Sequence, residues 1–152
     1  MEVIRARGKV MERMELLMVP IDTIQVEPVK NAEQLRVNAE AISAMLEAVP
    51  HLFPPTTNLY KAEGSNSPTL ALPAIWKNFD TFYKLAMAAS RTAAEMGEAQ
   101  TNDALRSGSA KLRASCDACH TLSLRKYVPQ KPNAADQGFD FDAALGAEKN
   151  GK

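Results

Sequence analysis

Apolar residues recur at the spacing of an α-helix in four separate stretches of this 152-residue chain. The alternation of apolar and polar residues that is typical of β-strands is absent. The pattern therefore predicts an all-α protein in which four amphipathic helices of comparable length pack as an antiparallel up-down four-helix bundle. The residues in helical register are Ile4, Met11, Met14, Met18 and Ile21 in the first stretch, Leu35, Ile42, Met45 and Val49 in the second, Ile75, Phe79, Phe82 and Ala86 in the third, and Leu105, Leu112, Cys116, Cys119 and Ser123 in the fourth.

Helix boundaries are predicted from prolines, glycines and capping residues. Pro20 interrupts the first stretch, so we expect a kink or an early end there. Asn31 is the expected N-cap of the second helix, and Gln34 follows it at the spacing of a capping box. The other expected limits are Pro50 for the end of the second helix, Pro73 and Gly97 for the third helix, and Asn102 and Tyr127 for the fourth.

The chain divides at about residue 128. Residues 1–128 are predicted to form one helical domain with a single core, in which residues 51–72 are a long connection. Residues 129–152 turn polar and contain three glycines. We expect this C-terminal tail to be irregular and flexible, with one helical turn near residues 142–145. Phe139 and Phe141 are the side chains by which it would dock on the bundle.

The charge balance and the apolar runs exclude several classes of protein. With 18 basic and 18 acidic side chains the formal net charge is zero, so the basic excess of a nucleic-acid-binding protein is absent. No apolar run approaches the roughly 20 residues of a membrane-spanning helix. The N-terminus lacks the apolar core of a signal peptide, so we expect either a mature or trimmed form or a protein that is not exported.

The only two cysteines of the chain lie in the segment Cys116-Asp117-Ala118-Cys119-His120. They are too close in sequence for a structural disulfide that closes a loop of useful size. Cys-x-x-Cys-His is instead the signature of covalent attachment of a c-type haem. On a helix, residues three and four apart project from nearly one face, so two thioethers would hold the porphyrin while the imidazole reaches the iron. The motif predicts one haem c bound through Cys116, Cys119 and His120.

Three other interpretations of these residues stay open at this point. A thioredoxin-like redox pair follows a strand in a βαβ unit, and no strand is predicted before this motif. A zinc site would need a fourth ligand such as His51, and the adjacent Cys119 and His120 are awkward ligands for one tetrahedron. In the third interpretation, two unmodified buried thiols lie beside a histidine by chance.

The order of motifs along the chain resembles that of the class II c-type cytochromes, the group of cytochrome c′ and its low-spin relatives. The matching stretches are Arg7 to Met14, Leu52-Phe53-Pro54, Ala74-Ile75-Trp76 with Phe79 and Phe82, and Ala114 to His120. The resemblance implies a four-helix bundle with haem near one end and His120 as the proximal ligand. In the family an arginine usually stands four residues after this histidine. Here Leu124 has that position and Arg125 comes one residue later, so the resemblance implies for Arg125 only a displaced contact with a haem propionate.

The sixth position of the iron decides between two functions. A methionine ligand suits electron transfer, whereas an open site suits the binding of small gases. The first helix offers Met11, Met14 and Met18 on its inward stripe, although methionines in such a stripe are more often core filling. By the resemblance, low-spin members place their methionine ligand four residues after Arg7, which is Met11, and a packing residue at Met14. Arg7 shares this register and either pairs with a haem propionate or extends outward to solvent.

The remaining conspicuous side chains have simpler interpretations. His51 lies in the connection and is expected to be a loop or packing histidine rather than an iron ligand. Trp76, Phe79 and Phe82 are expected in the core, where one of them would touch the porphyrin.

The sequence thus predicts a soluble monohaem electron carrier with His/Met ligation. It is not expected to be an enzyme, because no nucleophile–base constellation occurs. The alternative is a five-coordinate, high-spin cytochrome c′ that binds nitric oxide or carbon monoxide, and a distant third is a haem-free interaction module. Redox proteins are the expected partners, and the resemblance implies a homodimer through the first two helices. Because haem is attached to such motifs outside the bacterial cytoplasm, we expect a periplasmic protein.

Overall fold

The computed structural model describes residues 1–61, 66–125 and 144–146. Two short 3-10 helices occupy the start of the connection after the second long helix. The only β pairing within the described residues is an isolated bridge between Ala71 and Leu124. The prediction of an all-α chain is confirmed. The α-helices are α1 (Glu2–Thr23), α2 (Ala32–Ala48), α3 (Ala74–Lys77), α4 (Phe79–Gly97) and α5 (Asn102–Ser123).

The long helices α1, α2, α4 and α5 form the predicted antiparallel bundle. Their directions follow from contacts in which the residue number rises on one helix as it falls on the other. Because α1 and α4 both run opposite to α5, and α2 runs opposite to α4, neighbouring helices alternate up and down. The contacts pair Asp22 of α1 with Arg113 of α5, Gln25 (just after α1) with Ser109 of α5, Met96 of α4 with Gly108 of α5, Ser43 of α2 with Ser90 of α4, and Glu40 of α2 with Gly97 of α4, while Leu85 of α4 and Ala118 of α5 belong to one buried cluster.

The boundary between α1 and α2 agrees only partly with the prediction. Helix α1 continues through Pro20 to Thr23, so of the kink or early end expected at Pro20 the early end does not occur. The hydrogen bond that proline cannot donate is lost close to the helix end, where few further bonds depend on it. Helix α2 begins as predicted, because the Oδ1 atom of Asn31 accepts from the backbone N–H of Gln34 at 3.0 Å. The side chain of Gln34 donates to Asn38 at 2.8 Å, and among the described residues no hydrogen bond from the backbone N–H of Asn31 to the Gln34 side chain is formed, so the capping box is half formed.

Two further boundaries differ from the prediction. The third predicted helix is divided at Asn78, whose φ of −132° and ψ of 52° are not helical, in keeping with the preference of asparagine for helix ends. Helix α5 ends at Ser123, well before the expected end at Tyr127, which lies outside the described residues. The reason is that Leu124 turns to an extended conformation and pairs with Ala71. Backbone hydrogen bonds of 2.8 and 2.9 Å flank this pair.

The predicted apolar stripes meet in the centre of the bundle. Phe79 is the exception, with 40% of its surface exposed, because it begins α4 at the end of the bundle, directly after the break at Asn78. No helix of the described part is long and apolar enough to cross a membrane. The largest fully buried apolar side chains are Ile21, Ile42, Leu85, Met96, Leu105 and Leu112.

The C-terminal tail is described only at residues 144–146. Ala144 and Leu145 are helical, and Ala144 is buried in a small second cluster. Phe139 and Phe141 lie outside the described residues, so the division of the chain at residue 128 stays a prediction. The other buried members of the cluster are Leu85, Ala88, Ala114 and Ala118.

Candidate functional site

A cavity of about 430 Å³ opens at the end of the bundle where α1 and α4 begin and α5 ends. Cofactor sites commonly have volumes of roughly 300–1,000 Å³ and mainly apolar walls, and this cavity has both properties. It is enclosed by helices from both ends of the chain and by the connection between them. Its walls are formed by Ile4, Arg7, Gly8 and Met11 of α1, by Phe53 and residues 67–71 of the connection, by Ile75 of α3 and Phe82 of α4, and by Cys119, His120, Ser123 and Leu124 at the end of the chain's last long helix.

Two residues of the Cys-x-x-Cys-His motif lie on the wall. Cys119 and His120 line the cavity, whereas Cys116 lies one helical turn earlier on α5 and packs against the main apolar core. Burial lowers the pKa of the His120 imidazole, which favours the neutral form that binds a metal. This is the arrangement that a cofactor attached along the last turns of α5 requires.

The thiols themselves do not resemble those of a redox enzyme. Burial raises the pKa of Cys116 to about 12 and that of Cys119 to about 11. Catalytic redox thiols have a lowered pKa and follow a strand, and no strand precedes this motif in the described residues. The thioredoxin-like interpretation therefore has no support.

The zinc interpretation also lacks support. Within the part of the chain that the structure describes, no group of three or more His, Cys, Asp or Glu side chains is arranged to hold a metal ion. His51 is exposed on the 3-10 helix Val49–Leu52 and does not line the cavity. It is a surface histidine of the connection between α2 and α3.

The methionines of α1 separate into wall and core. Met11 is half-buried and lines the cavity, as His120 does. Met14 and Met18 are 8% and 2% exposed, belong to the main apolar core and do not line the cavity. Only the first of the three inward methionines is thus available to a group bound in the cavity.

Arg7 points inward and is 5% exposed, so it does not extend outward to solvent. Its guanidinium donates to the hydroxyls of Thr57 at 3.2 Å and Thr69 at 2.5 Å. It also lies 4.5 Å from the ring centroid of Phe53 and 5.9 Å from that of Trp76. Burial lowers its pKa, and no carboxylate of the described residues forms an ion pair with it. Arginine nevertheless remains protonated, so the cavity wall carries a positive charge.

Of Arg125 and the predicted core residues Trp76, Phe79 and Phe82, only Phe82 lies on the cavity wall. Arg125 does not line the cavity, although it directly follows the wall residue Leu124. Its backbone N–H donates to Leu70, and its guanidinium lies 5.9 Å from the ring centroid of Tyr60. Phe82 lines the cavity and meets Phe53 edge-on at 4.8 Å between ring centroids.

Sequence reasoning missed Thr57, Thr69 and the segment of residues 67–71. Both threonines are buried, at 6% and 7% exposure, and the segment forms one side of the cavity. They lie in a connection without helical periodicity, so no spacing rule applies to them. The run of prolines and polar residues there indicates only a loop.

Residues 2–122 match the family described as Cytochrome C′. This chain belongs to the cytochrome c′ family. A cytochrome c-556 of Agrobacterium tumefaciens (strain II Chrys) is 34% identical over 101 residues, which are 63% of this chain and 75% of that protein. The crystal structure of cytochrome c′ from Thermochromatium tepidum has a TM-score of 0.71 and 26% identity, covering 82% of this chain and 95% of that chain. Cytochrome c′ from Rhodobacter Spheriodes, with a TM-score of 0.70, 21% identity and coverage of 83% and 97%, shares the fold.

Membership of the cytochrome c′ family confirms the class II resemblance and the cofactor. Proteins of this family bind one covalently attached haem c and are generally electron carriers. The residues present fit that group: the walls are mainly apolar, Cys119 and His120 lie on them, and Arg7 supplies a cation. The two cysteines stand one turn apart on α5, as attachment to one porphyrin requires.

Proposed function

We propose that this protein is a low-spin electron carrier in which His120 and Met11 would be the two protein ligands of the haem iron. The observation that carries the proposal is the position of Met11 on the cavity wall, while Met14 and Met18 are packed in the core. The alternative, a five-coordinate haem that binds nitric oxide or carbon monoxide, would need this side of the cavity to lack a ligand.

The proposed ligands come from two antiparallel helices. His120 is in the last turn of α5, and Met11 is in the middle of α1, so each side chain is held by a regular backbone. When bound, haem c supplies a one-electron ferric/ferrous couple. A neutral, soft thioether stabilises the ferrous form and raises the reduction potential. A rigid pair of ligands on packed helices suits a protein that gains and loses electrons without rearranging.

The two arginines are proposed to interact with the haem propionates. Arg7 is a buried cation on the wall that no described carboxylate neutralises, and a propionate would be a well-matched partner. Arg125 is the second candidate, because its Nε atom is buried without a hydrogen-bond partner and because it directly follows the wall residue Leu124. Arg125 stands one residue later than the arginine usual in the family and does not line the cavity, so we expect it to contact a propionate from beside the cavity wall.

The test of the proposed function is an absorption spectrum of the holoprotein in the ferric and ferrous forms, with and without carbon monoxide. We expect low-spin iron that resists carbon monoxide, because the gas must first displace the thioether. Met11→Ala should convert the protein into a high-spin form that binds carbon monoxide. Met14→Ala is the matched control, since it shortens a methionine of the same stripe that lies in the core, and it should leave the iron low-spin. High-spin iron in the unchanged protein would favour the gas-binding alternative.

We further propose that the protein acts in the periplasm, where c-type haem is attached in bacteria, and that it exchanges electrons with other redox proteins. Fractionation of cells that express the full-length gene, followed by haem staining of the periplasmic and cytoplasmic fractions, tests the location. Haem-stained protein confined to the cytoplasmic fraction would contradict it.

A further inference from the structure

The charge of Arg7 is held in the cavity wall by neutral acceptors. Thr57 is 50 residues away along the chain and Thr69 is 62 residues away, yet both hydroxyl oxygens accept hydrogen bonds from the guanidinium. All three side chains are buried. A buried arginine is usually matched by a carboxylate, because an unpaired buried charge is costly. At Arg7, two neutral hydroxyls take the place of this carboxylate, so they hold the guanidinium without neutralising its charge.

The hydrogen bonds around the threonines fix the direction in which each hydroxyl accepts. The hydroxyl of Thr57 donates to the carbonyl of Pro54 at 2.8 Å, which leaves its lone pairs toward Arg7. The hydroxyl oxygen of Thr69 accepts from Arg7 and from the backbone N–H of Ala71 at 3.1 Å, which uses both of its lone pairs. The guanidinium is thus oriented from two sides without being neutralised.

We propose that Thr57 and Thr69 are positioning residues that hold the Arg7 guanidinium against the cavity with its positive charge available to an anionic group of the cofactor. A carboxylate in either place would hold the side chain equally well but would cancel the charge. The inference rests on the proposed role of Arg7 toward the haem propionates. It is independent of Met11, because the propionates belong to haem whatever its sixth ligand.

Thr69 also connects this charge to the segment of residues 67–71, which lines one side of the cavity. On the other edge of this segment, Ala71 pairs with Leu124, which follows the last turn of α5. The hydrogen bond between Arg7 and Thr69 therefore joins α1 to a segment of the connection that lines the cavity, as His120 does. Loss of the Thr69 hydroxyl should therefore remove the hydrogen bond that holds the Arg7 guanidinium to this segment.

The experiment compares Thr69→Val, which removes the hydroxyl but keeps the side-chain shape, with Thr69→Ser, which keeps the hydroxyl. The midpoint potential and the resonance Raman band of propionate bending, which reports hydrogen bonding to the propionates, are measured on the holoproteins. We expect Thr69→Val to lower the potential, so that the ferric-to-ferrous ratio at the wild-type midpoint rises about threefold to tenfold, the range for a charge-assisted hydrogen bond that is partly lost. The Raman band should shift with it, and Thr69→Ser should retain both wild-type values.

Ser43→Ala is the control for the loss of a buried hydroxyl, because Ser43 bonds Ser90 between α2 and α4 and does not line the cavity. Thr57→Val should change both readouts in the same direction as Thr69→Val and decides the matter if the latter does not fold. Valine variants that match the wild type, or a serine variant as altered as the valine one, would overturn the proposal. Arg7→Gln with unchanged potential and Raman band would also overturn it, by removing Arg7 from the cofactor. The spin state of the same samples reports separately on Met11.

Discussion

At the scale of single residues, an ion pair between a buried arginine and a partly exposed aspartate joins the helices that carry the two proposed iron ligands. Arg113 of α5 is 3% exposed, and its Nε atom donates to Asp22 of α1 at 3.1 Å, while Nη2 donates to the second carboxylate oxygen. Burial alone would lower the pKa of Arg113, but the hydrogen bond and the charge of Asp22 raise it. The pair is bidentate, so it fixes the relative position of α1 and α5 as well as neutralising a charge.

Asp22→Ala should destabilise the protein strongly, because it leaves the buried guanidinium of Arg113 without its partner. We expect a loss of about 3 kcal/mol in the free energy of unfolding, measured by urea denaturation. Glu12→Ala is the control, since Glu12 pairs with Lys9 at the surface, and it should cost less than about 1 kcal/mol. Equal losses in the two variants would contradict a structural role for this ion pair.

Covalent attachment is also a property of single residues. In a host with haem-attachment machinery, the mass of the denatured protein should equal that of the polypeptide plus one haem. Cys116→Ala together with Cys119→Ala should return the mass to that of the bare polypeptide, because no thioether can form. Each single variant should keep haem on one bond. A bare-polypeptide mass for the unchanged protein in that host would refute attachment at these cysteines.

At the scale of helices, α4 and α5 approach closely at a glycine. A Cβ atom built on Gly108 would lie 2.9 Å from Cγ and 3.0 Å from Cβ of Met96, which is itself 1% exposed. A methionine so deeply buried has little room to move aside. Glycine at this position therefore allows α5 to pack against α4 near the end of the bundle that is opposite the cavity.

Gly108→Ala should destabilise the protein although alanine is the better helix former. We expect overpacking against Met96 to cost about 1–3 kcal/mol, which exceeds the gain of up to about 1 kcal/mol from helix propensity. Thermal unfolding followed by circular dichroism measures the difference. Ser107→Ala, at an exposed neighbouring position of α5, isolates the propensity effect and should be neutral or slightly stabilising. A stabilised Gly108→Ala protein would show that Met96 moves aside freely.

At the scale of the whole molecule, the first two long helices expose apolar side chains. Leu16 and Val19 of α1 are 63% and 56% exposed, and Val37 of α2 is 48% exposed. Leu16 and Val19 are three residues apart and therefore share one face of α1. This surface is where we expect a second copy of the chain to bind, in keeping with the homodimer that the family resemblance implies.

Sedimentation velocity of the holoprotein tests this prediction. The wild-type protein should sediment as a dimer, and Leu16→Glu should shift it to the monomer, because burial of an unpaired carboxylate at the interface is unfavourable. Tyr83→Glu is the control at a similarly apolar, exposed position on α4, and it should leave the dimer intact. A wild-type protein that is monomeric at all concentrations would exclude the dimer.

The sequence by itself determined the helical class of the chain and the attachment motif of the haem. Both depend on short-range spacing: apolar residues every three or four positions define a buried helix face, and Cys116, Cys119 and His120 share a face whatever surrounds them. The N-cap at Asn31 was predictable for the same reason, since its hydrogen bond to Gln34 spans three residues. Such contacts need no other part of the chain to form.

Only the tertiary structure decided which residues surround the cavity. Met11 and Met14 belong to one predicted stripe, but Met14 lies three residues further along α1. This moves it about 4.5 Å along the helix axis, away from the end of the bundle where the cavity opens and into the core. Helix α5 ends at Ser123 because the next residue pairs with a segment about 50 residues earlier, which no local pattern encodes. Likewise, Arg7 finds its two hydroxyl partners 50 and 62 residues away, in a connection without periodicity. These contacts exist only once the bundle has closed, because packing, and not spacing along the chain, brings the groups within hydrogen-bonding distance.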